Sequence, residues 1–213
     1  MTDWGLGPFG QGFLFGLALA MPVGAIGLLC IRRSLEYGFA TGFATGLGAA
    51  VADAGYGAVA AFGLTAVSDF LLAWQTVLAL AGGAALIWLG VQSWRTRAQG
   101  PARTASVGPH PVMAFVQTVG LTLANPQTIL TFVALFAGLG VVLGEQTGWT
   151  PALLLVLGVF LGSGVWWLIL AGAVGGVLRR RLSDGVIGWI NRGAGALIVG
   201  FGLLAVARGL GLI

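Results

Sequence analysis

Long apolar stretches, parted by short joints that hold most of the charge, run from one end of the chain to the other. They cover roughly residues 12–31, 38–64, 70–94, 112–143, 152–178 and 187–207. A helix needs about 20 largely apolar residues to cross a bilayer core, and each stretch reaches that length. The pattern predicts an all-α integral membrane protein with six transmembrane helices. The whole of 1–213 then forms one polytopic membrane domain.

Two of the stretches are interrupted inside. Pro22 and Gly24 sit in the middle of the first. Proline lacks the N–H and clashes with the preceding turn, so a break is expected there. Asn125-Pro126 interrupts the fourth. Asn is a preferred N-cap and Pro a preferred first helical residue, so the pair reads as a helix restarting within the membrane. The joint at 95–111 divides the chain into three-span halves, 1–94 and 112–213. An odd number of spans gives homologous halves opposite orientations. Ala20-Met21-Pro22 pairs with Ala124-Asn125-Pro126, and GGAALIWLG from Gly82 with GAGALIVGF from Gly193. Inverted repeats broken at matching places point to a transporter whose site lies near the midplane.

Composition agrees. With 58% hydrophobic and only 8% charged residues, and a mean hydropathy of +0.99, the chain cannot cover a soluble surface, where about a quarter of residues are charged. The pI near 10.6 is therefore no sign of nucleic acid, because the arginines collect in the joints. Arg32, Arg33, Arg95, Arg97, Arg103, Arg179, Arg180, Arg181 and Arg192 fall on one side and only Arg208 on the other. The positive-inside rule makes the first side cytoplasmic and puts both termini outside, in the cytoplasmic (inner or plasma) membrane of a prokaryote. Residues 1–10 lack the basic start of a cleavable leader.

Asp53 stands alone within the second stretch, near mid-depth. A charge there costs roughly 2.5–3.5 kcal/mol on insertion scales and marks a functional suspect. It could hold a substrate ammonium, carry a coupling proton, or be satisfied by backbone N–H groups at the helix breaks. The two restarted helices would aim positive N-terminal ends at the midplane, where they suit a carboxylate. Thr122, Gln127 and Thr131 are candidate lining at similar depth, although each side chain could instead bond its own helix backbone. Ser163, Trp166 and Trp167 rank below them, and Gly42xxxGly46 reads as a close helix contact. The candidate translocation set is thus Asp53, Pro22, Gly24, Asn125, Pro126, Gln127, Thr122 and Thr131.

Competing chemistry finds little support. One cysteine, Cys30, excludes an intrachain disulfide, and the single histidine, His110, lies in a loop, so no catalytic constellation and no metal or cofactor site is expected. A metal-ion exporter would need a fuller oxygen shell than one acid offers. A non-transporting assembly protein would leave Asp53 and the paired breaks unexplained.

MPVGAIGLLCIRRSLEYGFATG, Asp53, the third stretch ending LGVQSWR, and LTLANPQTILTF follow one another in order. In these features, over nearly its whole length, the chain resembles the lysine-exporter (LysE) type family of amino-acid translocators, which includes the homoserine/threonine exporters. The resemblance implies a six-span exporter of amino acids or related small solutes, driven by an ion or membrane gradient, and it is compatible with a homodimer. Three positions depart from the family pattern. Ala25 stands where a second proline is usual, Gln127 where lysine is common, and Thr131 where exporters of basic amino acids tend to carry an acid. With one intramembrane carboxylate, a neutral amino acid is favoured over lysine or arginine. The partners expected are therefore that small molecule, a proton or ion gradient and membrane lipid.

Overall fold

A computed structural model describes residues 6–22, 24–62, 73–95, 109–125, 128 and 148–212. The described residues are almost entirely α-helical. They form α1 (Pro8–Ala20), α2 (Ala25–Tyr37), α3 (Phe39–Ala61), α4 (Gln75–Arg95), α5 (Pro111–Leu123), α6 (Trp149–Ala171) and α7 (Asp184–Gly209). A π-helical segment, Gly172–Leu178, continues α6 into a short turn at Arg179–Arg181.

Proline sets the first break. α1 closes with the Met21 N–H on the Leu17 carbonyl, and α2 restarts from an extended Gly24. The two axes differ by 77°. Gly38 makes the next reversal alone, at φ +92°, a left-handed value that glycine adopts without a Cβ penalty. α5 ends just before Asn125, whose N–H bonds the Thr122 carbonyl at 3.2 Å. The restart expected at Pro126 lies outside the described residues, as do Gln127 and Thr131.

Helix pairs close on small residues. Gly12 and Gly16 of α1 meet the backbone of α6 at Leu155 and Val159, while Gly158 and Gly162 of α6 meet that of α1 at Phe9 and Phe13. α4 and α7 pack the same way, with Gly83 beside the Gly202 carbonyl and Gly90 beside that of Gly195. Such contacts suit helices that must gain van der Waals contact without a hydrophobic drive between them. Gly46 approaches Trp167 and Gly42 approaches Ser34, the close contact expected of that pair. α3 packs against both α6 and α5, and α2 against α3 and α7.

Two helical stretches among the described residues are long and apolar enough to cross a membrane by themselves, Trp149–Leu178 and Arg192–Gly209. The bent pair α1 and α2 adds a third if taken as one span. α3 has the length, 23 residues, but is built of Gly, Ala and Thr where lipid-facing helices carry Leu, Ile and Val.

One expectation is revised. Arg32, Arg33 and Glu36 do not follow the first span as a solvated joint. α2 runs through them to Tyr37, and the two arginines are buried within the bundle.

Candidate functional site

A cavity of about 450 Å³ opens where α1 breaks, a size within the roughly 300–1,000 Å³ usual for small-molecule sites. Its floor is the end of α1 and the first turn of α2, Gly24 to Gly27. Asp53 and Ala49 of α3 form one wall, and Phe201, Leu204, Ala205 and Arg208 of α7 another. Thr122, Asn125 and Thr128 enter from the region of the second break. Among the described lining residues Asp53 is the one acid and Arg208 the one base, while most of the rest is apolar.

The carboxylate is held by a side chain. Asp53 is 7% exposed, and Ser163 Oγ of α6 donates to its Oδ2 at 2.8 Å. Trp167, one turn further along α6, donates its Nε1–H to the same Ser163 oxygen at 3.1 Å. The indole thus fixes the hydroxyl so that its proton points at Asp53. Ser163 is fully buried, next to Gly162, whose missing side chain lets α1 approach the backbone of α6. One turn beyond Asp53 on α3, Tyr56 donates to the Leu123 carbonyl at 2.8 Å, tying the end of α5 to the same wall.

Two further features face the cavity with unspent hydrogen-bonding capacity. The N-cap of α2 is Gly24, which has no side chain to cap the helix. Its first intrahelical bond runs from Leu28 N to Gly24 O, so the N–H groups of Ala25, Ile26 and Gly27 are free of helical partners. Thr122 is 3% exposed, and its hydroxyl finds no hydrogen-bond partner among the described residues. Thr45 and Thr118, equally buried, bond their own helices instead.

The cavity therefore gathers Pro22, Gly24, Asp53, Thr122 and Asn125 from the residues singled out in the sequence. Pro126, Gln127 and Thr131 lie outside the described residues. Ser163 and Trp167, ranked low, turn out to be the partners that orient Asp53. Arg208, read only as a topology exception, lines the cavity, as does Thr128. The signal for Ser163 was thin: one hydroxyl beside a GxxxG pair in an otherwise apolar helix.

Residues 17–209 match a protein family described as LysE type translocator. The chain belongs to that family. A LysE type translocator is a membrane transporter and not an enzyme, which agrees with the apolar helices and with an inner-membrane location. Among curated relatives, the chemotactic transduction protein ChpE of Pseudomonas aeruginosa is 32% identical, the match spanning 92% of this chain and 96% of that one. The putative amino acid efflux protein YcgF of Bacillus subtilis is 27% identical over 88% of this chain and 90% of its own. The threonine efflux protein of Salmonella typhi is 27% identical over 70% and 74%. No solved structure matches the chain.

Proposed function

We propose that this translocator is a secondary active exporter of a small, neutral, zwitterionic amino acid, coupled to protons through Asp53. One observation carries the reading: the same cavity holds a buried carboxylate and a helix N-terminus whose cap residue, Gly24, has no side chain. The substrate ammonium would pair with Asp53. Its carboxylate would lie at the first turn of α2, assisted by the Thr122 hydroxyl and Asn125. The apolar remainder of the cavity suits an uncharged side chain. Arg208, at the far end of the α7 wall, would draw the carboxylate outward on release. YcgF and the threonine efflux protein carry names that fit export of amino acids.

We further read the architecture as six spans in two inverted halves, with N- and C-termini outside the cytoplasm. The arginine asymmetry supports the orientation. Helix pairing supports the repeat. Exchanging the halves turns the α1–α6 contact into the α5–α3 contact, and both are among the larger interfaces. In the α4–α7 pair, glycines of both helices make the contact, Gly83 with Gly202 and Gly90 with Gly195.

A second reading, a membrane component without transport, is favoured by the name of ChpE alone. Purified protein in liposomes separates the two. Vesicles preloaded with labelled L-threonine, L-leucine or L-lysine are diluted under an imposed pH gradient. The exporter reading expects gradient-dependent efflux of a neutral amino acid in preference to lysine. No efflux of any of them, from protein shown to be folded, would favour the second reading.

A further inference from the structure

The cavity ends at Gly27, and below it α2 is sealed. Leu29, Cys30 and Ser34 are completely buried, and Leu35 nearly so. Arg33 lies in this plug at 2% exposure. Its Nη2 donates to Gln117 Oε1 of α5 at 2.6 Å. Its Nη1 reaches Thr45 Oγ1 of α3 at 3.1 Å, the Ala114 carbonyl of α5 at 3.3 Å and Thr118 Oγ1 at 3.4 Å. Both threonines give their own protons to backbone carbonyls, Thr45 to Thr41 and Thr118 to Ala114, which leaves their lone pairs for the guanidinium. Neighbouring contacts fasten the same end of α2. Arg32 donates to the Leu89 carbonyl of α4 at 3.4 Å and pairs with Glu36 at 3.2 Å, while Arg179 donates to the Glu36 carbonyl at 3.2 Å.

We propose that Arg33 is the latch of a cytoplasmic gate, holding α2 of the first half against α5 of the second while the cavity stands open at its other end. The chemistry suits a latch that must also release. A buried cation held by neutral oxygens gives up much of its hydration for hydrogen bonds of moderate strength. Opening to the cytoplasm returns water to the guanidinium as those bonds are lost. The closed and open states are then close in free energy, as a transporter that populates both requires. Four neutral acceptors from two helices also fix the closed geometry, so the latch is specific and not merely sticky. The assignment rests on the exporter reading and on its orientation.

Cys30, the sole cysteine, reports on the gate directly. It sits one turn before Arg33–Ser34, buried, with its Sγ donating to the Gly42 carbonyl at 3.4 Å. The measurement is its alkylation rate by a membrane-impermeant maleimide, in inside-out and right-side-out vesicles. Wild type, Arg33→Gln and Arg33→Lys are compared. A second reporter, Ala18→Cys in a Cys30→Ser background, reads the cavity end. Arg33→Gln should raise Cys30 labelling from the cytoplasmic face by about tenfold, the shift expected when charge-assisted hydrogen bonds are lost. Labelling of the Ala18→Cys reporter should fall in parallel, and Arg33→Lys should lie between wild type and Arg33→Gln. Unchanged rates in folded Arg33→Gln would overturn the latch. Rates rising at both positions would overturn it too, since that is general loosening. Cys30 reached only from the outer face, with the reporters still reciprocal, would keep the latch and refute the orientation instead.

Discussion

Gly162 offers a case in which two physical effects oppose each other and the structure says which prevails. Replacing a mid-helix glycine by alanine favours the helix by about 1 kcal/mol. At Gly162 the new Cβ would lie 2.9 Å from the Leu17 amide nitrogen and 2.9 Å from the Phe13 carbonyl carbon, and closer still to the Phe13 oxygen. These are backbone atoms and cannot rotate away, so α1 would have to retreat by on the order of 1 Å. Overpacking that side chains can relax already costs roughly 1–3 kcal/mol. A rigid backbone neighbour puts this case at the top of that range, for a net loss of about 2 kcal/mol. Gly164, two residues on, is the control, because a Cβ there meets nothing within 4 Å. Thermal unfolding in detergent, followed by tryptophan fluorescence, should place Gly162→Ala several degrees below wild type and Gly164→Ala at or above it. Because Ser163, the next residue on α6, holds Asp53, the Gly162 variant should also bind substrate more weakly. Equal melting temperatures for the two variants would refute the close-packed α1–α6 interface.

Ser163→Ala removes the donor to Asp53 and the acceptor of Trp167; a bond to a charged group is worth about 1.5–3 kcal/mol, and since cavity water can replace it, a melting loss at the low end is expected, with no loss at all counting against the triad of contacts. Thr122→Val deletes a buried hydroxyl that has no partner among the described residues, so stability should hold or rise while amino-acid affinity, measured by calorimetry, falls by roughly two- to tenfold, one neutral hydrogen bond. Unchanged affinity would show that the hydroxyl does not meet the substrate. A reporter fused to the C-terminus should be active outside the cytoplasm, and cytoplasmic activity would reverse the orientation.

Much of this arrangement was legible in the residues because it rests on strong local signals. Pro22 cannot continue a helix, so the first break was visible without any contact. Asp53 was conspicuous because a lone acid in an apolar run has no cheap explanation. The pairing of Asp53 with Ser163 was not legible, because 110 positions separate them and nothing local marks a serine as a partner. Arg32 and Arg33 misled for a physical reason. The same charge pattern describes a solvated loop or a buried cluster, and only the packed acceptors on α3, α4 and α5 distinguish the two. The glycines at 12, 16, 158 and 162 were uninformative singly, since glycine abounds in the chain; their role appears when two helices are laid together.

The central claim is that Asp53 carries the coupling charge, and Asp53→Asn tests it most directly. The amide is nearly isosteric, can still accept from Ser163, and is cheaper to bury than a carboxylate. Efflux of a neutral amino acid from proteoliposomes is measured with and without an imposed pH gradient, beside the melting temperature. The account predicts that Asp53→Asn folds and melts at or above wild type yet loses the response to the gradient. Gradient-driven efflux at the wild-type rate would contradict it.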